Sequence, residues 1–273
     1  MTIASAVERT AKYLRRNLRK TYRAPPSASR SRPDVVRLAV APGVAPSGKP
    51  PVRIFLGTEP AQHRAERVFV WSVETARDPS RVYEIHLMRD LAGFRRRWWT
   101  TGFTNYRLGV PRFAGAGGRA IYNDVDQIYL SDPAELFDLD MGGHGFLAVA
   151  AEDRSGGTPF DSSVMLIDCA RMAAVWTLAE AHTAHKSALL IKAAAIPGLW
   201  GRLAPEWNAR DAEYATGRSK VLHYTRLRTQ PWQPFPQLYV YRRTPEGEVW
   251  HALERAADAA GYQVRAAAPA PAA

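Results

Sequence analysis

The chain is 273 residues long, 46% hydrophobic and 23% charged, a balance that excludes a disordered chain and a membrane-spanning one. Its net charge of +11 would ordinarily suggest a polyanionic partner, but nine Lys/Arg against Glu8 alone fall in residues 1–33, and the other 240 residues hold 28 basic and 25 acidic side chains. A basic tail on a nearly balanced body argues against nucleic acid, and the single cysteine, Cys169, excludes both a disulfide framework and a multi-cysteine zinc site.

From the N-terminus, Ile3, Ala6, Val7, Ala11, Leu14 and Leu18 recur at helical spacing among Arg and Lys. Residues 1–23 therefore read as a basic amphipathic helix, either solvated or held to an anionic membrane surface, where each basic residue contributes about 1 kcal/mol. Residues 24–51 are rich in Pro, Ser and Gly and read as linker, and 266–273 as an Ala/Pro tail. No uninterrupted apolar run of about 18 residues occurs and the N-terminus lacks a secretory signal, so the expected location is the cytoplasm, with a peripheral contact at the inner face of the membrane through residues 1–23.

Between linker and tail the pattern alternates. Val52–Gly57 predicts a strand, Ala61–Ala76 a helix and Val82–Met88 a second strand, which is the grammar of a βαβ unit. Further strands are expected at Arg119–Asn123, Gly145–Ala150, Val164–Asp168 and Lys220–Tyr224, with helices at Pro133–Phe137, Arg171–His182 and Glu248–Ala260. No Gly-x-Gly-x-x-Gly follows the first strand and no Gly-x-x-x-x-Gly-Lys-Ser/Thr is present, which disfavours dinucleotide oxidoreductases and P-loop NTPases. No Gly-x-Ser-x-Gly elbow surrounds Ser162 or Ser163. His182 and His185 lack a completing carboxylate, His144 lies in a glycine-rich turn, and Phe94–Trp99 (FRRRWW) suits either an acidic acceptor or a cover over the sheet.

The most informative passage is Arg119–Phe137, RAIYNDVDQIYLSDPAELF. An apolar strand delivers Asp124 and Asp126 at its carboxyl end, where open α/β sheets bind ligands. Residues two apart on an ideal strand share a face only if the chain keeps its pleat, and both aspartates can reach one ion where it bends. Hard cations such as Mg²⁺ or Mn²⁺ take carboxylates together with substrate phosphates. An ordinary strand-end turn would also use Asn and Asp, and the residues alone leave both readings open.

This passage resembles the Asp-x-Asp segment of GT-A-fold glycosyltransferases, most closely glycosyltransferase family 8, the group of glycogenin and the bacterial lipopolysaccharide galactosyltransferases. Three further segments follow the family's order. Thr104–Pro111 (TNYRLGVP) is similar to its Tyr-x-Arg-Leu-x-x-Pro helix, which implies that Arg107 contacts the donor. Asp161–Asp168 (DSSVMLID) is similar to the strand lining the donor sugar, with Asp161 in place of Asn and Ser163 in place of Gly. Val221–Trp232 (VLHYTRLRTQPW) is similar to the His-Tyr/Phe-x-Gly-x-x-Lys-Pro-Trp segment, with Arg226 for Gly and Gln230 for Lys. The family's Asp-Gln-Asp-x-Leu-Asn is absent, Leu203–Asp211 being the nearest equivalent.

The resemblance spans about two-thirds of the chain. It implies a single GT-A domain over 52–265, an α/β fold with a mostly parallel central sheet flanked by helices, and a nucleotide-sugar donor, UDP-sugar above all. It implies Mn²⁺ or Mg²⁺ on Asp124, Asp126 and His223, with Asp124, Asp126 and Asp161 as catalytic residues. Donor contacts would come from Leu56, Gly57, Thr58, Arg107, Asp124, Val125, Ser162 and Ser163. The phosphate contact of the missing lysine passes to Arg226 or Arg228, with Lys220 a weaker candidate. The acceptor, whether glycan, lipid or protein, is not specified, and transfer with retention is implied. Two alternatives stand beside it: a non-catalytic sugar-nucleotide-binding scaffold of this fold, and a haloacid-dehalogenase-like phosphatase. The latter carries its Asp-x-Asp on the first strand, whereas about seventy residues of βαβ pattern precede it here.

Overall fold

The computed structural model describes residues 30–94, 103–151 and 157–267. The expected N-terminal helix over 1–23, Arg95–Trp99 and residues 268–273 lie outside them. β2 (Val52–Gly57), β3 (Tyr83–Met88), β4 (Arg119–Asp124), β6 (Phe146–Ala150), β7 (Phe160–Asp168) and β8 (Trp200–Leu203) build, with β1 (Asp34–Leu38), a seven-stranded sheet in the order β1-β3-β2-β4-β7-β6-β8. β2 pairs in parallel with both β3 and β4, and β6 with β8; β1 and β7 run against their neighbours. Five of the seven strands therefore share one direction. A second sheet joins β5 (Gln127–Tyr129), β10 (Val221–His223) and β9 (Ala209–Arg210) in the order β5-β10-β9.

α1 (His63–Ala76) is the crossover between β2 and β3, and it buries Ala65, Val68, Phe69, Val70 and Val73. Tyr129 on β5 donates its backbone N–H to Ser72 Oγ of α1 at 3.0 Å, tying the small sheet to this helix. α7 (Gly247–Ala259) lies against the outer face of α1, where Arg64 donates to both oxygens of Glu254 at 2.7 and 2.9 Å. Short helices fill the remaining links: α2 (Val110–Phe113), α3 (Pro133–Phe137), α4 (Cys169–Ala173), α5 (Leu178–Thr183) and α6 (Lys186–Ala194).

Four expectations are corrected. The stretch 24–51 is not all linker, because Asp34–Leu38 forms β1 against β3 in the register Asp34↔Leu87 to Leu38↔Tyr83. Its burial alternates strictly enough to make a strand in spite of the Pro-rich surroundings. At the other end Ala267, expected in the tail, exchanges backbone hydrogen bonds with Val35 at 3.0 and 2.9 Å and extends that edge. The single helix expected over Arg171–His182 is divided at Thr177, whose side chain and that of Glu180 form a capping box that starts α5 afresh. The helix expected around Arg107 is one turn of 3-10 helix, Tyr106–Gly109, followed by α2.

Candidate active site

The carboxyl ends of β2, β3 and β4 lie level with one another, Gly57 opposite both Met88 and Asp124. Asp124 ends β4, Val125 and Asp126 form the bend, and β5 starts at Gln127. The bend turns Asp126 toward His223 on β10, which pairs with Gln127. Tyr224 donates its N–H to the Asp126 carbonyl at 2.9 Å and closes the corner.

One half of the site is built on Arg107. Its Nη2 donates to both oxygens of Asp124 at 2.7 and 2.8 Å, its Nη1 to the carbonyl and hydroxyl of Ser162 at 2.7 and 2.8 Å, and its Nε to Thr104 O at 3.0 Å. Tyr122, whose ring lies 4.9 Å beneath the guanidinium, donates its hydroxyl to Asp124 Oδ1 at 2.6 Å. Burial works against the charge of Arg107, and the adjoining Asp124 carboxylate more than offsets it, so the guanidinium titrates above its ordinary value. Burial raises the Asp124 carboxyl, with Arg107 pulling in the opposite direction. Gly57 is required by this packing, since a Cβ there would stand 2.3 Å from the Tyr122 hydroxyl.

The other half is built on His223. Its Nδ1 lies 2.9 Å from Asn208 Oδ1, which turns Nε2 toward Asp126 Oδ1 at 3.3 Å. Asp126 Oδ1 is buried and makes no aligned hydrogen bond. Burial alone would lower the His223 imidazole, but Asp126, Asp161 and Asp124 raise it to about 9. Asp161 Oδ1 accepts from the N–H and hydroxyl of Ser163 at 2.8 and 2.6 Å. Burial would raise the Asp161 carboxyl, and the His223 charge and the Ser163 bonds bring it below its ordinary value instead.

The donor set fits a hard divalent cation in chemistry. An imidazole whose other nitrogen is held by a side chain, and a buried carboxylate oxygen lacking a bond, are what a ligand pair needs. Among the described residues Asp124 Oδ2 accepts only from Arg107, so it keeps acceptor capacity. As they stand, no three His, Cys, Asp or Glu side chains among the described residues are gathered closely enough to hold an ion, because Asp124 faces Arg107.

Several expected donor contacts are placed elsewhere. Leu56 and Thr58 are fully buried, and Thr58 donates its hydroxyl to Glu66 at 3.1 Å inside the core. Val125 is buried and gives its N–H to Gly57 O. These three side chains are packed in the core. Arg226 is exposed, its Nε 3.9 Å from Asp211, and Arg228 lies 5.9 Å over the Tyr239 ring. Neither bonds Asp124, Asp126 or Asp161 among the described residues. Lys220 is engaged by Glu135 at 2.6 Å, and buried Gln230 donates to Tyr224 O at 3.0 Å. His185 caps α6, while His182 packs against Gly93 and Phe94; neither belongs to the site.

One residue that the sequence reading missed is Lys186. Asn105, two residues before Arg107, donates to Ala181 O and Ala184 O at 3.2 and 2.9 Å and holds the α5–α6 junction against the site. There Arg107, and burial after it, lower the Lys186 ammonium to about 8, opposed by Asp124 and Asp161. A helix-start lysine carries no motif, so only the fold could reveal it.

No protein-family model matches the chain, and no curated protein matches it. Solved structures do. The bifunctional glycosyltransferase WbbM in its apo form is 13% identical over 77% of this chain and 53% of its own, with a TM-score of 0.53. The galactosyltransferase LgtC, in complex with donor and acceptor sugar analogs, is 14% identical over 75% of this chain and 96% of its own, with a TM-score of 0.52. The glycosyltransferase GlyE of Streptococcus pneumoniae TIGR4 is 16% identical over 76% and 60%, with a TM-score of 0.56. The chain thus spans about half the length of WbbM and nearly all of LgtC. The fold of the described residues is the GT-A glycosyltransferase fold, as the Asp-x-Asp segment implied.

Proposed function

We propose that the protein is a metal-dependent glycosyltransferase that moves a sugar from a nucleotide-sugar donor, a UDP-sugar first among them, to a hydroxyl acceptor with retention. The observation that supports this reading is the Asp126–His223 pair standing beside the Arg107–Asp124 pair at the carboxyl edge of a GT-A sheet. Asp124, Asp126 and His223 would hold Mn²⁺ or Mg²⁺, which supplies positive charge against the leaving diphosphate.

The chain's own residues do the rest. Arg107 keeps a permanent charge beside the donor and fixes Asp124 and Ser162 in one orientation before substrate arrives, so little reorganisation is left for the reaction. Lys186 adds a second cation on the same side. Asn208 holds the His223 ring, and Asp161 lies across from the donor-facing cluster. Because glycosyl transfer passes through an oxocarbenium-like state, charge placed at the leaving group lowers the barrier most directly. The phosphatase alternative is disfavoured by position, since Asp124 ends β4 and not the first strand of the sheet. No helix among the described residues is long and apolar enough to cross a membrane; attachment through residues 1–23 remains part of the proposal.

Thermal stabilisation by UDP-, GDP- and CMP-sugars, with and without Mn²⁺, tests the reading. A UDP-sugar with Mn²⁺ should raise the midpoint of the native chain and fail to do so for Asp126→Ala. An unchanged response in that variant overturns the metal assignment, and no response to any nucleotide sugar overturns the donor reading.

A further inference from the structure

The most exposed large apolar side chain among the described residues is Val240, at 85%. It stands at the tip of the loop 233–244, and hydrogen bonds fix that tip from within. Leu238 and Tyr239 give their N–H groups to Phe235 O at 3.0 and 3.2 Å, and Arg242 gives its own to Arg228 O at 2.9 Å. Phe235 is buried, and its N–H donates to the Tyr241 hydroxyl at 3.0 Å. The loop thus holds Val240 outward between two half-buried tyrosines, Tyr239 and Tyr241, with exposed Arg242 and Arg243 next in the chain. From 225 to 245 the sequence contains four arginines and no Asp or Glu. Arg242 and Arg243 have no ion-pair partner among the described residues, although Glu248, at the head of α7, lines the same recess.

The loop is rooted on the edge of the sheet that carries the site. Just past the end of β2, Trp232 donates its indole N–H to Gln62 Oε1 at 2.6 Å, and its carbonyl accepts from Arg64 at 3.0 Å. The basic leader joins the described chain on that edge too, since Arg30 exchanges backbone hydrogen bonds with Asp90 and Ala92, just past the end of β3, at 2.8 and 2.9 Å. An apolar tip flanked by tyrosines and followed by unpaired guanidiniums suits an anionic lipid surface: the tip enters the headgroup boundary and the arginines meet phosphates. An acidic protein face would satisfy the arginines and leave Val240 against charge.

We propose that the loop 233–244 is a contact site for anionic bilayers, with Val240 in the headgroup region and Arg242 and Arg243 on lipid phosphates, and that it turns the carboxyl edge of the sheet toward the membrane. This contact is separate from the one proposed for residues 1–23 and does not depend on the glycosyltransferase reading.

The test places a polarity-sensitive fluorophore on the full chain through Val240→Cys or, as the control, Val44→Cys; Cys169 is buried and stays unlabelled. Val44 is 37% exposed and lies at the opposite edge, in the stretch 41–47 whose ends bond Pro79 and Ser80 ahead of β3. Vesicles of phosphatidylcholine with phosphatidylglycerol should shift the probe at position 240 to the blue and leave the one at position 44 in water, and the shift should fade as salt rises. Each basic residue near such a surface strengthens binding by about fivefold, so Arg242→Gln with Arg243→Gln should lower vesicle affinity by about twenty-fivefold. A chain that sediments with vesicles while the probe at position 240 stays in water is held by other residues, and the proposal falls. It falls equally on the same shift at position 44, the same shift with phosphatidylcholine alone, unchanged affinity in the double variant, or no vesicle binding. A shift with polyglutamate and none with vesicles also overturns it and reassigns the loop to an acidic protein. No arm uses a nucleotide sugar, so the donor reading stands or falls separately.

Discussion

The two halves of the active site are built on opposite principles. Around Arg107 every strong group is satisfied: five donated hydrogen bonds bind the guanidinium to Thr104, Ser162 and Asp124, and Tyr122 adds a sixth to the same carboxylate. Around His223 the groups stand close but incompletely bonded, with Asp126 Oδ1 buried and unaligned beside the imidazole. A closed network fixes geometry, and an incompletely bonded one invites a ligand. The Arg107 half is therefore the frame and the His223 half the receptor, and substitutions should separate them.

The largest effect is expected at the frame. Arg107→Met leaves the buried Asp124 carboxylate without its cation, which costs about 3–5 kcal/mol of stability. Chemical unfolding measures it, and adding Asp124→Asn should recover part of the loss because the uncompensated charge goes with it. A variant as stable as the native chain would show that Arg107 is not holding the frame. Next is Gly57→Ala, whose Cβ would collide with the Tyr122 hydroxyl, at a cost of about 1–3 kcal/mol. Tyr122→Phe should relieve that cost in the double variant; if it makes the double variant worse, the contact is not the cause.

The receptor half should respond to pH. The folded His223 titrates near 9 against an ordinary 6.5, so the metal-free folded chain binds more protons than the unfolded chain between those values. Stability from His223 is complete below about pH 6.5 and is lost as pH rises toward 9. Lys186, lowered to about 8 from 10.5, has the opposite sign above pH 8, which leaves pH 6.5–8 as the clean window. Over that window the unfolding free energy of chelator-treated protein should fall, and His223→Gln should flatten the slope. Mn²⁺ competes with the same proton, so its stabilising effect should grow as pH rises. A flat profile in the native chain would mean that the His223 half carries no charge of its own.

The sequence revealed these halves unequally. Strands β2, β3, β4 and β6 and helices α1, α3 and α7 follow from apolar runs and helical spacing, and the pairing of Asp124, Asp126, Arg107 and His223 follows from four short segments. β1 was hidden by its Pro-rich flanks, α5 by a capping box inside a helical pattern, and β5, β8 and β9 by being four residues long or shorter. Lys186 could not be found by motif, because what brings it to the site is the docking of α6 through Asn105; Asn208 lies in the segment Leu203–Asp211 that the resemblance had pointed to, and its bond to His223 shows only in the fold. Leu56, Thr58 and Val125, read from the sequence as donor contacts, have buried side chains. The strand end was located correctly, but which side chains of a buried parallel strand face outward is decided by its neighbours.

The smallest structural effect is expected at Arg226 and Arg228. Both are exposed, Arg226 at the start of the turn Leu227–Thr229 after β10 and Arg228 within it, so replacing both with Gln should change stability by no more than about 0.5 kcal/mol. Their proposed task is electrostatic: to meet the donor's diphosphate from the receptor side while Arg107 meets it from the frame. Loss of two solvated cations should then weaken UDP by about tenfold at low salt and much less as ionic strength rises, since exposed charges are screened over roughly 8–10 Å. Titration calorimetry at two salt concentrations reads both numbers. If the double variant binds UDP as tightly as the native chain and Lys186→Met does not, the phosphate charge belongs to the frame half alone, and the receptor half is left with the cation.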